Sequence, residues 1–335
     1  MAKKWQTGAN FGWQGVRLQV PENWNLGRMD GNEKSGYARL DDSEIVRAEV
    51  EWRQLRDGQN KAVAPLIDRY VETLEKKAKK AGTPFTVERR ARFLKDKRWL
   101  EGYDYETFIW EADYRAYNLA RLCSRCGRVV LLRVLGHLDE DLSELAEMVF
   151  STLEDHPREG EGVFWSVYGL SFFMPEEYKL TSQELKSGHI QLNFEHDKHT
   201  CRIQRLSLAK MLLKGTTLAR WYPRFFTKQL KDFKYDVNTE DVEGHQGLRI
   251  DGRPRSRWRQ LLRPLPLVNP RPRLYMHGRV WYCADSDKIC IVDHLYRKER
   301  DRGDLTQVVS HGYLCHQKQA EADARGDVEL AADAQ

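Results

Sequence analysis

Cysteine is scarce in this chain, with six among 335 residues. So thin a spread excludes a disulfide-stapled secreted scaffold and fits reduced thiols in a cytoplasm. No apolar run approaches the roughly 18 residues that a membrane-spanning helix needs. The N-terminal MAKKWQTGANFGWQGVRLQV has no apolar core of a signal peptide. The expected location is therefore cytoplasmic, without membrane insertion. Phosphate-cradling and catalytic signatures are also missing: no G-x-x-x-x-G-K-[ST], no G-x-G-x-x-G, no G-x-S-x-G and no H-E-x-x-H. No cofactor is expected, and a non-enzymatic role is favoured over catalysis.

What the chain has is apolar and aromatic bulk. Hydrophobic residues make up 41%, with ten Trp, fourteen Tyr and twelve Phe, enough for two ordinary cores. A length of 335 residues suits two domains. An internal echo points the same way. KSGYARL at 34–40 returns as KSGHIQL at 186–192. Ahead of these stand GVRLQVPENWNL (15–26) and GLSFFMPEEYKL (169–180), each an alternating strand stopped by Pro21 or Pro175 and followed by Trp24 or Tyr178. Ala48, Val50 and Trp52 continue the alternation, echoed by Cys201, Ile203 and Arg205. Ile67, Tyr70, Val71 and Leu74 have helical spacing, as do Leu218, Trp221, Tyr222 and Phe225, where Pro223 should delay or bend the helix. Buried hairpins follow at 119–134 and 278–293. Each half closes with a helix, its faces lined by Leu142, Leu145, Ala146, Val149 and Leu153, and by Leu305, Val308 and Val309. His156 and His316 stand at matching ends.

This order predicts an α+β fold of two similar units, each an antiparallel sheet packed against about two helices. The units are expected at 1–157 and 158–316, joined near EDHPREGEG (154–162) and followed by a solvated tail, 317–335. The opening GVRLQVPENWNL…GYARL…AEVEW and its echo resemble the PsbP/Mog1-like α+β fold. That resemblance implies a binding or assembly module and transfers no site residue.

The halves differ in where charge collects. Net charge is +5, yet 75–98 and 249–273 each carry +7, which leaves about −9 for the rest. The first half has about ten extra residues around TVERRARFLKDKRW, and the second about eighteen around GRPRSRWRQLLRPLPLVNPRPR. Five of the eleven prolines lie in the second block, which favours an extended segment outside the core. The candidate partner-binding residues are Arg89, Arg90, Arg92, Arg253, Arg255, Arg257, Trp258, Arg259 and Arg263. Guanidinium groups flanking an indole grip acidic protein surface or stack on bases. A solvated loop is the alternative.

Other clusters carry less. C-S-R-C at 123–126 lacks the second pair that a tetrahedral zinc site needs, and it precedes a strand rather than opening a helix. E-H-D-K-H-T-C (195–201) reads as a hairpin turn, and H-G-Y-L-C-H (311–316) as a helix end. No metal set is expected. The sequence therefore predicts a non-enzymatic binding or scaffold protein with an acidic partner or larger assembly. Nucleic-acid binding through the same stretches is the alternative. An enzyme with a pocket between the units ranks third.

Overall fold

Val16, Leu18 and Val20 alternate with Arg17 and Gln19, so one face of β2 (Val16–Val20) is fully buried. It pairs with β1 (Ala9–Trp13) across a two-residue turn, Gln14–Gly15, in which both residues have positive φ. That geometry matches the twist of the flanking strands. The same turn recurs at Tyr168–Gly169, between β10 (Val163–Val167) and β11 (Leu170–Met174). There the chain passes from one compact unit, 1–168, to the other, 169–335, beyond the linker expected at 154–162. The structure, a computed structural model, describes residues 8–56, 62–255 and 273–315.

Unit 1 continues through β3 (Asn25–Gly31), β4 (Ser35–Asp41), β5 (Val46–Gln54), α1 (Ala64–Ala81), β6 (Thr86–Arg89), β7 (Asp104–Glu111), β8 (Arg115–Leu122), β9 (Arg128–Gly136) and α2 (Ser143–Ser151). Its seven strands lie in the order β3-β4-β5-β9-β8-β7-β6. Unit 2 runs through β12 (Lys179–Lys186), β13 (His189–His196), β14 (His199–Ser207), α3 (Ala209–Leu212), α4 (Leu218–Phe225) and α5 (Thr227–Leu230). It then adds β15 (Phe233–Val242), β16 (His245–Pro254), β17 (Tyr275–Cys283), β18 (Lys288–Tyr296) and α6 (Leu305–His311). The order β12-β13-β14-β18-β17-β16-β15 repeats that of unit 1 place for place.

The expectation of an α+β fold is overturned. Among the described residues strands take 48% and helices 20%, and the strands form three antiparallel sheets of four, seven and seven. The physical reason lies at the sheet edges. β3 and β12 bury almost nothing on either face, so they have no apolar alternation. They form because β4 and β13 offer them open hydrogen-bonding rows.

The repeated KSG serves different ends in the two units. Ala38 and Leu40, like Ile190 and Leu192, are core residues of equivalent strands. Gly36, however, lies inside β4, where a Cβ would collide with the Trp52 ring. Gly188 instead makes the β12–β13 turn with φ +82°.

The helical spacings at 67–74, 218–225 and 305–309 do fall in helices, α1, α4 and α6. Pro223 falls inside α4, which ends at Phe225, and Thr227 Oγ donates to the carbonyls of Pro223 and Arg224. In α6 the buried residues are Leu305, Thr306, Val309 and Ser310, whereas Val308 is exposed.

The core of unit 2 is partly polar. Asp293 is fully buried on β18, and Gln204 Nε2 and the Tyr222 hydroxyl donate to it at 3.5 and 3.4 Å. Next to it His294 Nε2 lies 2.9 Å from His199 Nδ1. Burial pushes the Asp293 carboxyl up to about 6, against the pull of Arg202. Burial and the neighbouring His199 hold His294 down to about 4.

Two predictions follow from this packing. Leu132 is completely buried on the central strand β9. Leu132→Ala should cost about 2–5 kcal/mol, read as a lower urea midpoint for the unit 1 transition. The second concerns pH. The raised Asp293 pKa contributes stability below about 4 that is lost as pH rises to about 6. The depressed His294 pKa contributes stability above about 6.5 that is lost as pH falls to about 4. The two oppose each other between pH 4 and 6. Asp293→Asn removes the first, so the variant's stability should climb more steeply with pH over that interval, by up to about 1.4 kcal/mol per pH unit. Parallel wild-type and variant profiles in a urea series would contradict this.

Candidate binding face and buried thiol clusters

Residues 208–231, LAKMLLKGTTLARWYPRFFTKQLK, hold Lys210, Lys214, Arg220, Arg224, Lys228 and Lys231 and not one acid. All six cations are exposed, and among the described residues none is ion-paired. The segment folds as α3, α4 and α5 because Trp221, Tyr222, Phe226 and Leu230 turn inward onto Leu248, Ile250 and Val280 of the sheet. That packing leaves Leu208, Met211 and Phe225 outside, 57%, 63% and 46% exposed. Met211 N donates to Leu208 O at 3.0 Å, and the chain before Leu208 and the Phe225 ring both lie beside the Gly188–His189 segment. Ser207 N donates to Gly188 O at 2.9 Å, and the Phe225 ring lies 6.3 Å from that of His189. Phe225 is also stacked on Trp221 at 4.7 Å, which fixes its ring at the surface. Single exposed apolar residues are ordinary on protein surfaces, but three on one acid-free segment that also exposes six cations are not.

The predicted partner residues meet different fates. Arg89 ends β6 and is consumed by two ion pairs. Its Nε and Nη2 donate to Glu106 at 2.5 and 2.9 Å, and its Nη1 to Asp68 at 2.6 Å. These partners hold its pKa above the ordinary arginine value. Arg90 is exposed in a left-handed backbone, φ 55°, and Arg92 is exposed beside it. The connection that carries them is not an outside addition. Ala91, Leu94 and Leu100 are buried, and the Lys95 and Asp96 N–H groups donate to Glu147 Oε1 of α2 at 2.8 and 2.7 Å. Arg253 and Arg255 are exposed at the end of β16. Arg255 reaches the end of the basic helical segment, its Nη1 donating to Lys231 O at 3.2 Å. Arg257, Trp258, Arg259 and Arg263 lie outside the described residues. The face at 208–231 was not singled out from sequence, although its acid-free run of six cations was a readable signal.

Each unit also has a cleft among its described residues. One, of about 500 Å³ in unit 1, is lined by Asp41, Asp42, Glu44, Glu49 and Tyr114. The other, of about 420 Å³ in unit 2, is lined by Asp236, Asp251, Arg253, Tyr275 and Arg302. Beside it His277 Nδ1 sits 2.9 Å from Asp251, which Arg302 also contacts at 3.1 Å. Burial keeps the His277 pKa below the ordinary imidazole value despite that carboxylate. The ring is then neutral and acts as a hydrogen-bonding fixture of the β16–β17 pair.

Each unit also gathers thiols at one place in its fold, where the central hairpin ends and the last helix exits. In unit 1 these are Cys123, Cys126 and Asp155. The Cys126 thiol donates to Asp155 Oδ2 at 3.3 Å, Arg121 Nη2 donates to Oδ1 at 2.8 Å, and Arg128 Nη1 donates to the Asp155 carbonyl at 2.6 Å. The Tyr103 ring covers the Arg121 guanidinium at 4.2 Å. In unit 2 the group is His245, Cys283 and Cys315, with Cys315 Sγ 3.1 Å from His245 Nε2. Burial pushes the Cys126 and Cys315 thiols up to about 12. C-S-R-C alone marked the first cluster in the sequence. The second joins residues from three distant segments, and no spacing announced it.

Among the described residues no helix is long and apolar enough to cross a membrane. No family model and no curated protein matches the chain. Among solved structures it is similar to the immunity protein TplEi of a T6SS from Pseudomonas aeruginosa, complexed with a peptide called "L". Identity is 9%, with 92% of this chain and 97% of that one covered, at a TM-score of 0.33. It is also similar to a Bacteroides thetaiotaomicron VPI-5482 protein, at 10% identity and a TM-score of 0.25, covering 73% of this chain and 87% of that one.

Proposed function

We propose that this is a protein-binding module that captures an acidic, partly apolar protein surface on the helical face of unit 2. The observation that carries it is the combination at 208–231: exposed Leu208, Met211 and Phe225 among six cations with no acid. Burying such apolar side chains supplies affinity, and the cations select the sign of the partner and speed encounter. Arg255, held against Lys231, extends the positive rim toward the second basic block. The reading is non-enzymatic and moves the main contact from the two predicted insertions to this face.

Nucleic acid is the competing ligand, through the same cations. One feature favours protein: Leu208 and Met211 are aliphatic and offer bases no stacking plane.

The test uses defined probes. A fluorescent acidic peptide with interspersed Leu and Phe, and an RNA and a DNA oligonucleotide of equal charge, are titrated by anisotropy at two salt concentrations. The peptide should bind at physiological salt, and Met211→Glu combined with Phe225→Glu should weaken it about tenfold or more. Tighter oligonucleotide binding with a steep salt slope, or peptide binding untouched by the double substitution, would refute the proposal.

A further inference from the structure

We infer that His245, Cys283 and Cys315 form a zinc site that fastens the C-terminal helix of unit 2 to its sheet. Three independent pieces of the fold deliver the ligands. His245 opens β16 directly after the Glu243–Gly244 turn, where both residues have positive φ. Cys283 ends β17 and pairs with Lys288 across the hairpin. Cys315 follows α6, and the preceding residue is pinned to β11 by Leu314 N donating to Ser171 O at 2.8 Å.

The ligand atoms all lie within 4.8 Å of one another, and Cys315 Sγ to His245 Nε2 is 3.1 Å. Around a tetrahedral zinc with metal–sulfur bonds of about 2.3 Å and metal–nitrogen bonds of about 2.0 Å, ligand atoms stand roughly 3.5–3.8 Å apart. The three are therefore already at near-coordinating separation and need only small side-chain adjustment. Two thiolates and an imidazole select a soft, borderline cation such as zinc over magnesium or calcium. Binding would proceed as Zn²⁺ displacing the two thiol protons to solvent, with a neutral His245 offering the Nε2 lone pair. Solvent reaching the half-exposed His245 would fill the fourth position, and the resulting site carries no net charge, which suits the buried Cys283 and Cys315. The Trp281 indole N–H is aimed at the Cys315 sulfur, the kind of outer hydrogen bond that stabilises a ligating thiolate.

Unit 1 serves as an internal control. Cys123 and Arg128 occupy the same hairpin positions as Cys283 and Lys288. Unit 1 reads Arg121 where unit 2 reads Trp281, and Asp155 where unit 2 reads Cys315. The buried Arg121–Asp155 pair at 2.8 Å already neutralises that cluster. The same place in the fold is stapled by an ion pair in one unit and set up for a metal in the other.

The experiment uses the full chain made without a polyhistidine tag, purified under reducing conditions free of chelator. Zinc is measured by mass spectrometry of the metal. Cobalt titration is followed by thiolate-to-cobalt charge-transfer absorption. Wild type should hold about one zinc per chain and show the band. Cys283→Ser, Cys315→Ser and His245→Asn should each weaken zinc binding about tenfold or more. Cys126→Ser should retain it. His245 is half-exposed, so its variant keeps the test decisive if the cysteine variants fail to fold. No uptake by wild type, unchanged uptake in the three variants, loss with Cys126→Ser instead, or a Cys283–Cys315 disulfide in the isolated protein would each overturn the inference.

Discussion

Each unit depends on one long-range pairing, that between its third strand and its last. In unit 1 β5 meets β9 from Ala48↔Val134 to Gln54↔Arg128. In unit 2 β14 meets β18 from Thr200↔Leu295 to Ser207↔Lys288. Without that ladder a sheet is two separate meanders with a helical segment between them. Closing so long a loop is entropically expensive, and the offset comes from two buried strands, since β9 and β18 lie almost wholly inside. The ladder also sets the stage for every site discussed above. It brings the hairpin ends under the exit of the last helix, and it leaves the third-strand exit free to carry α1 or the basic helical face.

The same frame has been finished with different chemistry in the two units. Unit 1 lays one eighteen-residue helix after its third strand. Unit 2 places three short helices there, with Pro223 inside the second, and leaves Leu208, Met211 and Phe225 exposed. The thiol corner repeats the theme, with carboxylate and guanidinium in unit 1 and imidazole and thiols in unit 2. Because the strand orders are identical, such differences at equivalent places report on chemistry rather than on topology.

Both units bury polar groups, and those of unit 2 include a carboxyl and a pair of imidazoles. The Asp293–Tyr222–Gln204 set lies between the sheet and its helical cover, and the His199–His294 pair lies on the opposite face, since successive residues of β18 alternate. Each must stay hydrogen-bonded, because an unsatisfied buried group costs about 1–3 kcal/mol. Such a core fixes one arrangement of α4 over the sheet. The apolar and basic side chains of 208–231 are thereby held in a defined pattern on the outer surface.

Local pattern in the sequence was enough for the alternating strands, the two hairpin openings and the helical faces, because periods of 2 and 3.6 are written in each segment's own apolar residues. It also revealed that the two halves share an order of elements. It did not reveal that strands dominate, since β3 and β12 are edge strands whose existence depends on a neighbour's hydrogen bonds and not on their own burial. Arg89 looked free by charge density, and only the fold placed Glu106 and Asp68 against it. His245, Cys283 and Cys315 are far apart in the chain, and nothing in their spacing links them. They meet because three separate backbone pairings end at one corner, and proximity of that kind belongs to the tertiary structure alone.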